Sequence, residues 1–147
     1  MCCCRKRSYK IAVLSTSVTS VVLDASALMA FLHSEPGGDI VWEALSDAVI
    51  SAVNYSEILK KAIERGKDAE QVASAIRRLS LVIIPFDEVH AAAAAELYLQ
   101  AKPHGMSFAD RACLSLGVMR RNTVLTAERD MRLVSLPIKV KLIRNAH

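Results

Sequence analysis

The chain has 147 residues, of which 52% are hydrophobic, and a formal net charge of +4 at pH 7. That length fits one domain, and no uninterrupted apolar run reaches the roughly 18 residues that a membrane-spanning helix needs, which excludes an integral membrane protein. We therefore expect a compact cytoplasmic protein.

The net charge is concentrated at the start of the chain. The first ten residues contain no acid, and four basic residues supply all of the excess positive charge: Arg5, Lys6, Arg7 and Lys10. We assign residues 1–19 to a basic, flexible tail and residues 20–147 to a single domain. Residues 120–147 carry seven Lys or Arg against two acids, which permits contact with a phosphate backbone.

The four cysteines do not form a recognisable framework. Cys2, Cys3 and Cys4 are adjacent, so they lack the spacing of a zinc site or a redox pair. Cys113 lies alone in an apolar helical pattern, which predicts a buried position in the core. We therefore expect neither disulfides nor a zinc site.

Short aliphatic runs alternate with segments of helical periodicity along residues 20–147. The predicted elements, in chain order, are strand 21–23, helix 26–33, helix 39–45, strand 48–50, helix 54–66, helix 68–79, strand 81–85, helix 87–101, helix 107–119, strand 122–126, helix 128–133 and strand 140–143. Such alternation favours an α/β sandwich with a mainly parallel sheet.

The first strand ends on an aspartate. Val21, Val22 and Leu23 are aliphatic, and the run breaks at Asp24, where small residues begin a helical pattern. In an open parallel sheet, ligands bind at the carboxyl ends of the strands. Further acids follow later strands at comparable places, namely Glu57, Asp110, Glu128 and Asp130. Asp24 and these acids are therefore candidates for one site.

Each acid alone also has a structural explanation. Asn54, followed three residues later by Glu57, is typical of a capping box at a helix start, and Ser107 and Asp110 repeat that spacing. Convergence of several acids is harder to explain by capping, because two carboxylates about 5 Å apart repel by roughly 3 kcal/mol. A divalent cation reverses the sign of that interaction. Oxygen ligands select Mg²⁺ or Mn²⁺, ions that assist phosphodiester hydrolysis.

Four segments, taken in order, resemble one family. The chain is similar to the PIN domain, and within it to the VapC-type toxins of prokaryotic toxin–antitoxin pairs, over about residues 20–145. The segments that carry the resemblance are Val22-Leu23-Asp24-Ala25-Ser26-Ala27, Ser56-Glu57, Ser107-Phe108-Ala109-Asp110-Arg111-Ala112 and Leu125-Thr126-Ala127-Glu128-Arg129-Asp130. The resemblance implies a three-layer α/β/α fold, a Mg²⁺- or Mn²⁺-dependent endoribonuclease acting on RNA, a homodimer, and inhibition by a cognate antitoxin protein.

The resemblance also implies site residues. The catalytic, metal-binding acids that it assigns are Asp24, Glu57, Asp110 and Glu128. Glu128 stands where the family's fourth motif usually carries aspartate, and Asp130 is the alternative ligand. Ser26 and Thr126 match polar residues that orient an acid or a water. The basic residues that we consider for contact with the RNA backbone are Arg111, Arg129 and Arg132.

Glutamate in the fourth motif leaves a second function open, that of a PIN-like RNA- or protein-binding module without catalysis. Other uses of such a sheet are disfavoured. Neither a Gly-x-Gly-x-x-Gly nor a Walker pattern follows the first strand, which argues against nucleotide binding. A phosphatase of the haloacid dehalogenase type needs a second aspartate two residues after Asp24, where Ser26 stands.

Overall fold

The computed structural model describes residues 20–145, so the tail predicted at 1–19 lies outside the described residues. The strands are β1 (Val21–Leu23), β2 (Ala48–Ser51), β3 (Val82–Ile84), β4 (Thr123–Thr126) and β5 (Val140–Leu142). The helices are α1 (Ala25–Leu32), α2 (Gly38–Ala44), α3 (Ala52–Glu64), α4 (Ala69–Arg77), α5 (Glu88–Glu96), α6 (Tyr98–Ala101) and α7 (Phe108–Arg120). All neighbouring strands pair in parallel, in the order β3-β2-β1-β4-β5.

The sheet separates two hydrophobic clusters, because successive residues of a strand point to opposite faces. Leu23 of the central strand packs in a cluster with α1, α2, α3 and α4. Val22 packs on the other face with α7, whose Cys113 is fully buried, as predicted. In the neighbouring strands β2 and β4, Val49 and Val124 pack in the cluster of α7. Ile50 and Leu125 pack in the cluster on the opposite face. The predicted three-layer α/β/α fold is therefore confirmed.

The carboxyl end of β1 lies at the centre of the edge at which the acids were expected. The register aligns Leu23 with Leu125 of β4, and the backbone N–H of Asp24 donates to the Leu125 carbonyl at 2.9 Å. Helix α1 begins at the residue after Asp24, and β2 passes directly into α3. These short connections bring strand ends and helix starts to a common edge, as expected of a parallel sheet.

The start of α3 differs from the prediction. The helix begins at Ala52, and its N-cap is Ser51, whose hydroxyl accepts the backbone N–H of Val53 at 3.2 Å. The predicted capping box of Asn54 and Glu57 is therefore wrong. The reason is that strand and helix are joined without a loop, so that Ser51 supplies the cap three residues earlier. Glu57 consequently lies in the second helical turn.

Two further predicted helices are interrupted or differently wound. Segment 87–101 breaks at Leu97 into α5 and α6, and the Leu97 side chain packs in the core. Segment 128–133 is reduced to a 3-10 turn at Arg129–Arg132, which buries Met131 beside Thr126. Within residues 20–145, no helix has both the length and the apolarity needed to span a bilayer.

Gly37, in the turn between α1 and α2, has a conformation and surroundings that exclude a side chain. Its φ is +92°, and a Cβ there would lie 2.5 Å from the carbonyl oxygen of Ile143. Gly66 offers a matched control, because its φ is +71° but no atom lies within 4 Å of its Cβ position. Comparing substitutions at Gly37 and Gly66 therefore separates the free-energy cost of a positive φ from that of the steric clash with Ile143.

We expect Gly37→Ala to lower the free energy of unfolding by about 1–3 kcal/mol more than Gly66→Ala. Both substitutions place an L residue in the left-handed region, which costs roughly 1–2 kcal/mol. Only the first also meets backbone atoms of the Ile143 segment. Urea unfolding of both variants measures the difference, and equal losses would contradict the steric explanation.

Candidate active site

Asp24 is the buried anchor of the site, with 2% of its surface exposed. It ends β1 and serves as the N-cap of α1. Its Oδ2 atom accepts hydrogen bonds from the hydroxyl of Ser26 at 2.5 Å and from the hydroxyl of Thr126 at 3.0 Å. Donors from two different elements therefore hold one oxygen of this carboxylate.

The two hydroxyl groups are themselves oriented by backbone amides. Ser26 Oγ accepts the N–H of Ala127 at 2.9 Å, and Thr126 Oγ1 accepts the N–H of Glu128 at 3.0 Å. Each hydroxyl therefore has its single proton left to donate, and Asp24 Oδ2 is the nearest acceptor; for Thr126 the sulfur of Met131 lies slightly farther, at 3.2 Å. Both residues singled out from the sequence as polar partners thus contact the buried acid.

Asn54 holds the second oxygen of Asp24 and was missed as a site residue. Its Nδ2 atom donates to Asp24 Oδ1 at 3.2 Å and to the carbonyl of Ala109 at 3.2 Å, and the side chain is fully buried. Its Oδ1 atom is the only buried side-chain oxygen or nitrogen without a partner in the described residues. The available signal was its place three residues before Glu57, on the same side of α3.

Asp110 lies in the first turn of α7, where a capping box orients it. The Ser107 hydroxyl accepts the Asp110 N–H at 3.2 Å, and Asp110 Oδ2 accepts the Ser107 N–H at 2.8 Å. Unlike the capping box predicted for Asn54 and Glu57, this one is confirmed. The carboxylate therefore has a local structural partner even though it borders the site.

One pocket of about 200 Å³ brings the predicted acids together. We call it the acidic pocket. Its lining includes Lys61 and His104, neither of which was singled out from the sequence. The five acids that line it are Asp24, Glu57, Asp110, Glu128 and Asp130. The structure thus gathers on one surface all the acids that the sequence placed after separate strands.

The side chains of the acidic pocket are not arranged as a closed metal-binding cluster. Across residues 20–145, no group of three or more Asp, Glu, His or Cys side chains is positioned to hold one ion. Asp110 is engaged by its cap, and Glu57 contacts Lys61 Nζ at 3.3 Å. The donor set nevertheless fits a hard divalent cation, because it consists mainly of carboxylate oxygens. The capping bond occupies only the Oδ2 atom of Asp110, whereas Lys61 competes directly for the carboxylate of Glu57.

The environment of the acidic pocket shifts the pKa of Asp24. Burial raises its pKa from 3.8 to about 6, and the hydrogen bonds from Ser26 and Thr126 oppose that rise. The negative charges of Asp110 and Glu57 also contribute to this rise in pKa. Two acids from other parts of the chain therefore repel the charged form of Asp24, and a bound cation would relieve that repulsion.

Arg111, one of the candidates for RNA contact, is committed to the protein itself. Its Nη1 atom donates to the Ala94 carbonyl at 2.9 Å, and its guanidinium carbon lies 5.5 Å from the ring centroid of Tyr98. The same group lies 5.6 Å from the ring of Phe108. Arg111 therefore packs α7 against α5 and α6, and the structure offers no support for its assignment to RNA.

The raised pKa of Asp24 predicts a pH-dependent stability in metal-free protein. The folded chain keeps a proton on Asp24 up to about pH 6, whereas the unfolded chain loses it near 3.8. Stability from this group is therefore lost as pH rises through that window and stays lost above it. We expect the stability of Asp24→Asn, relative to wild type, to increase by about 2 kcal/mol between pH 4 and pH 7.

Thermal melts of both proteins across this pH range measure that change. Any effect of the asparagine amide on stability that does not depend on pH cancels when the two pH values are compared. Asp68→Asn is the matched control, because Asp68 is also an N-cap acid but lies outside the acidic pocket. Parallel pH curves for Asp24→Asn and wild type would contradict the raised pKa.

Comparisons with known proteins agree with the fold. Among solved structures, the chain is similar to DNA-bound VapBC from Salmonella typhimurium, with 14% identity, 86% of this chain and 100% of that chain covered, and a TM-score of 0.67. VapC20 from Mycobacterium tuberculosis, described as a Sarcin-Ricin loop cleaving toxin, is 14% identical, with 80% and 96% covered and a TM-score of 0.67. FitAcB from Neisseria gonorrhoeae is 22% identical, with 82% and 95% covered and a TM-score of 0.61.

The family itself is shown by sequence. No curated protein matches the chain. The model of the PIN domain matches residues 21–136, which span β1, β4 and every segment that lines the acidic pocket. The chain therefore belongs to the PIN domain family.

Proposed function

We propose that this protein is a metal-dependent endoribonuclease and the toxin of a toxin–antitoxin pair. The observation that carries the proposal is the meeting of five acids in the acidic pocket, at the carboxyl edge of a parallel sheet. Family membership supports it, as does similarity to a toxin described as cleaving the Sarcin-Ricin loop. The clustered negative charge favours a compensating cation, which Mg²⁺ or Mn²⁺ would supply.

We assign the metal-binding role to Asp24, Glu57, Asp110 and Glu128. A bound divalent cation lowers the pKa of a water and stabilises charge on a phosphate. Ser26, Thr126 and Asn54 fix the orientation of Asp24, so this ligand needs no rearrangement. Preorganisation of this kind reduces the cost of binding, since the side chain is already ordered.

The remaining acids have different relations to the fold. Asp110 would bind the cation through Oδ1 while Oδ2 keeps the Ser107 N–H, and Glu57 would exchange the Lys61 ammonium group for the cation. Glu128 and Asp130 both follow β4 and line the pocket, one before the 3-10 turn and one within it. We assign Glu128 as the fourth ligand and Asp130 as a supporting acid, because Thr126 contacts the Glu128 backbone directly.

We further propose an antitoxin protein as partner and a homodimer as the assembly. The solved structures similar to this chain include the DNA-bound VapBC from Salmonella typhimurium and a structure described as a toxin–antitoxin complex from Klebsiella pneumoniae. The proposed substrate is RNA, which the locally basic residues 120–147 favour electrostatically. The competing function is that of a PIN-like module that binds RNA or protein without catalysis. Only the presence of Glu128 in place of aspartate favours it.

We expect Asp110→Asn to lower RNA cleavage in Mg²⁺ by at least about 100-fold. Mutation of residues that only hydrogen-bond to metal ligands typically lowers metal affinity or activity by about 10–100-fold, and loss of a ligand should cost at least as much. The control is Asp87→Asn, because Asp87 is an exposed acid at the start of α5 and lies outside the acidic pocket. Gel-based cleavage of labelled RNA, with melting temperatures to verify folding, measures the effect. Equal cleavage by Asp110→Asn and wild type would reject the site.

A second experiment distinguishes the ribonuclease from the inactive module and tests the fourth ligand. We expect Mn²⁺ to raise the melting temperature of wild type, and this shift to disappear in Asp24→Asn. Glu128→Gln is expected to reduce the shift more than Asp130→Asn does. The reverse order would transfer the ligand role to Asp130. The absence of any Mn²⁺ shift in wild type would favour the inactive module.

A further inference from the structure

Lys61 is the only lysine or arginine among the residues that line the acidic pocket in the described part of the chain. It follows Glu57 by one helical turn on α3, and its Nζ atom lies 3.3 Å from Glu57 Oε1. The side chains of Lys61 and Glu57 are 38% and 25% exposed. A single ammonium group therefore stands among five carboxylates, and its contact with Glu57 is partly shielded from solvent.

A neighbouring pair on the same helix shows what an ordinary surface contact looks like. Lys60 and Glu64 have the same i,i+4 spacing and an N–O distance of 3.0 Å, but their side chains are 69% and 55% exposed. Neither residue lines the acidic pocket. Exposed pairs of this kind contribute little, because water and salt screen them. Lys60 is therefore a matched control for Lys61.

The position of Lys61 has two electrostatic consequences. An ammonium group beside Glu57 reduces the repulsion among the pocket carboxylates while no divalent cation is bound. The same group opposes entry of a cation, since two positive charges would share a pocket of about 200 Å³ and compete for one carboxylate. The long, flexible stem of lysine allows its charge to move without moving the helix.

We propose that Lys61 is a positioning residue with two successive partners. In the metal-free chain it neutralises Glu57 and holds that side chain away from the other acids. When a divalent cation binds, the ammonium group leaves Glu57 and contacts a phosphate of the RNA at the mouth of the pocket. This inference rests on the proposed metal-dependent ribonuclease function and adds to it a residue that couples cation binding to substrate binding.

The first test measures cation binding without activity. Mn²⁺ is titrated calorimetrically into metal-free wild type, Lys61→Met, Lys61→Arg and Lys60→Met. Lys61→Met is expected to bind Mn²⁺ at least about fivefold more tightly than wild type, because the competing charge is gone. Lys61→Arg keeps the positive charge and is expected to show no gain in Mn²⁺ affinity. The Mn²⁺ affinity of Lys60→Met is expected to stay within about twofold of wild type. Melting temperatures of all four proteins verify folding.

The second test measures substrate binding. At saturating Mn²⁺, Lys61→Met is expected to raise KM for a single-stranded RNA about tenfold, with a smaller change in kcat, because a phosphate contact is lost. Lys61→Arg is expected to restore KM towards the wild-type value. A purely structural role for Lys61 would not produce opposite changes in cation affinity and RNA affinity.

The outcomes separate this inference from the proposed function. Mn²⁺ affinities and KM values of Lys61→Met that lie within about twofold of wild type would overturn the role of Lys61 and leave the ribonuclease intact. Failure of wild type and Lys61→Met alike to bind Mn²⁺ would contradict both proposals. Mn²⁺ binding without RNA cleavage would contradict the ribonuclease and the phosphate contact, and the measured affinities would then decide the competition between Lys61 and the cation.

Discussion

The buried carboxylate of Asp24 is the constraint around which the carboxyl edge of the sheet is built. Three donors from three elements hold it, the hydroxyls of Ser26 and Thr126 and the amide of Asn54. These hydrogen bonds favour the charged form, but burial outweighs them and raises the pKa to about 6. The fold thus orients a carboxylate accurately in a place where its charge is unfavourable.

The structure also reconciles the two explanations that each acid had at the outset. Asp110 forms a capping box with Ser107 and yet lines the acidic pocket, so capping and site membership are not alternatives for this residue. Glu57 likewise pairs with Lys61 on its own helix while its charge acts on Asp24. In the metal-free chain, these local partners reduce the repulsion that the shared pocket creates. Among residues 20–145, no three of these side chains are placed to hold one ion.

Much of the fold was predictable because its signals are local. The strand cores, the cap at Ser107 and the burial of Cys113 follow from short aliphatic runs and helical periodicity. The start of α3 was not predictable from local signals, because Asn54 has the spacing to Glu57 that is typical of a capping box. The N-cap in the structure is Ser51. The break at Leu97 was missed for a related reason, since high helix propensity on both sides hides the point at which the chain turns to bury that side chain.

The sequence by itself determined the α/β order and the acids that follow the strands, because spacing along the chain encodes both. Only the tertiary structure decided which side chains meet. Asn54 reaches Asp24 across 30 positions and Thr126 reaches it across 102, because β2 and β4 flank β1 in the sheet. Periodicity specifies which face of an element is buried but not which strand lies beside it. The partners of Asp24, and the place of Lys61 among the carboxylates, therefore became visible only with the packed sheet.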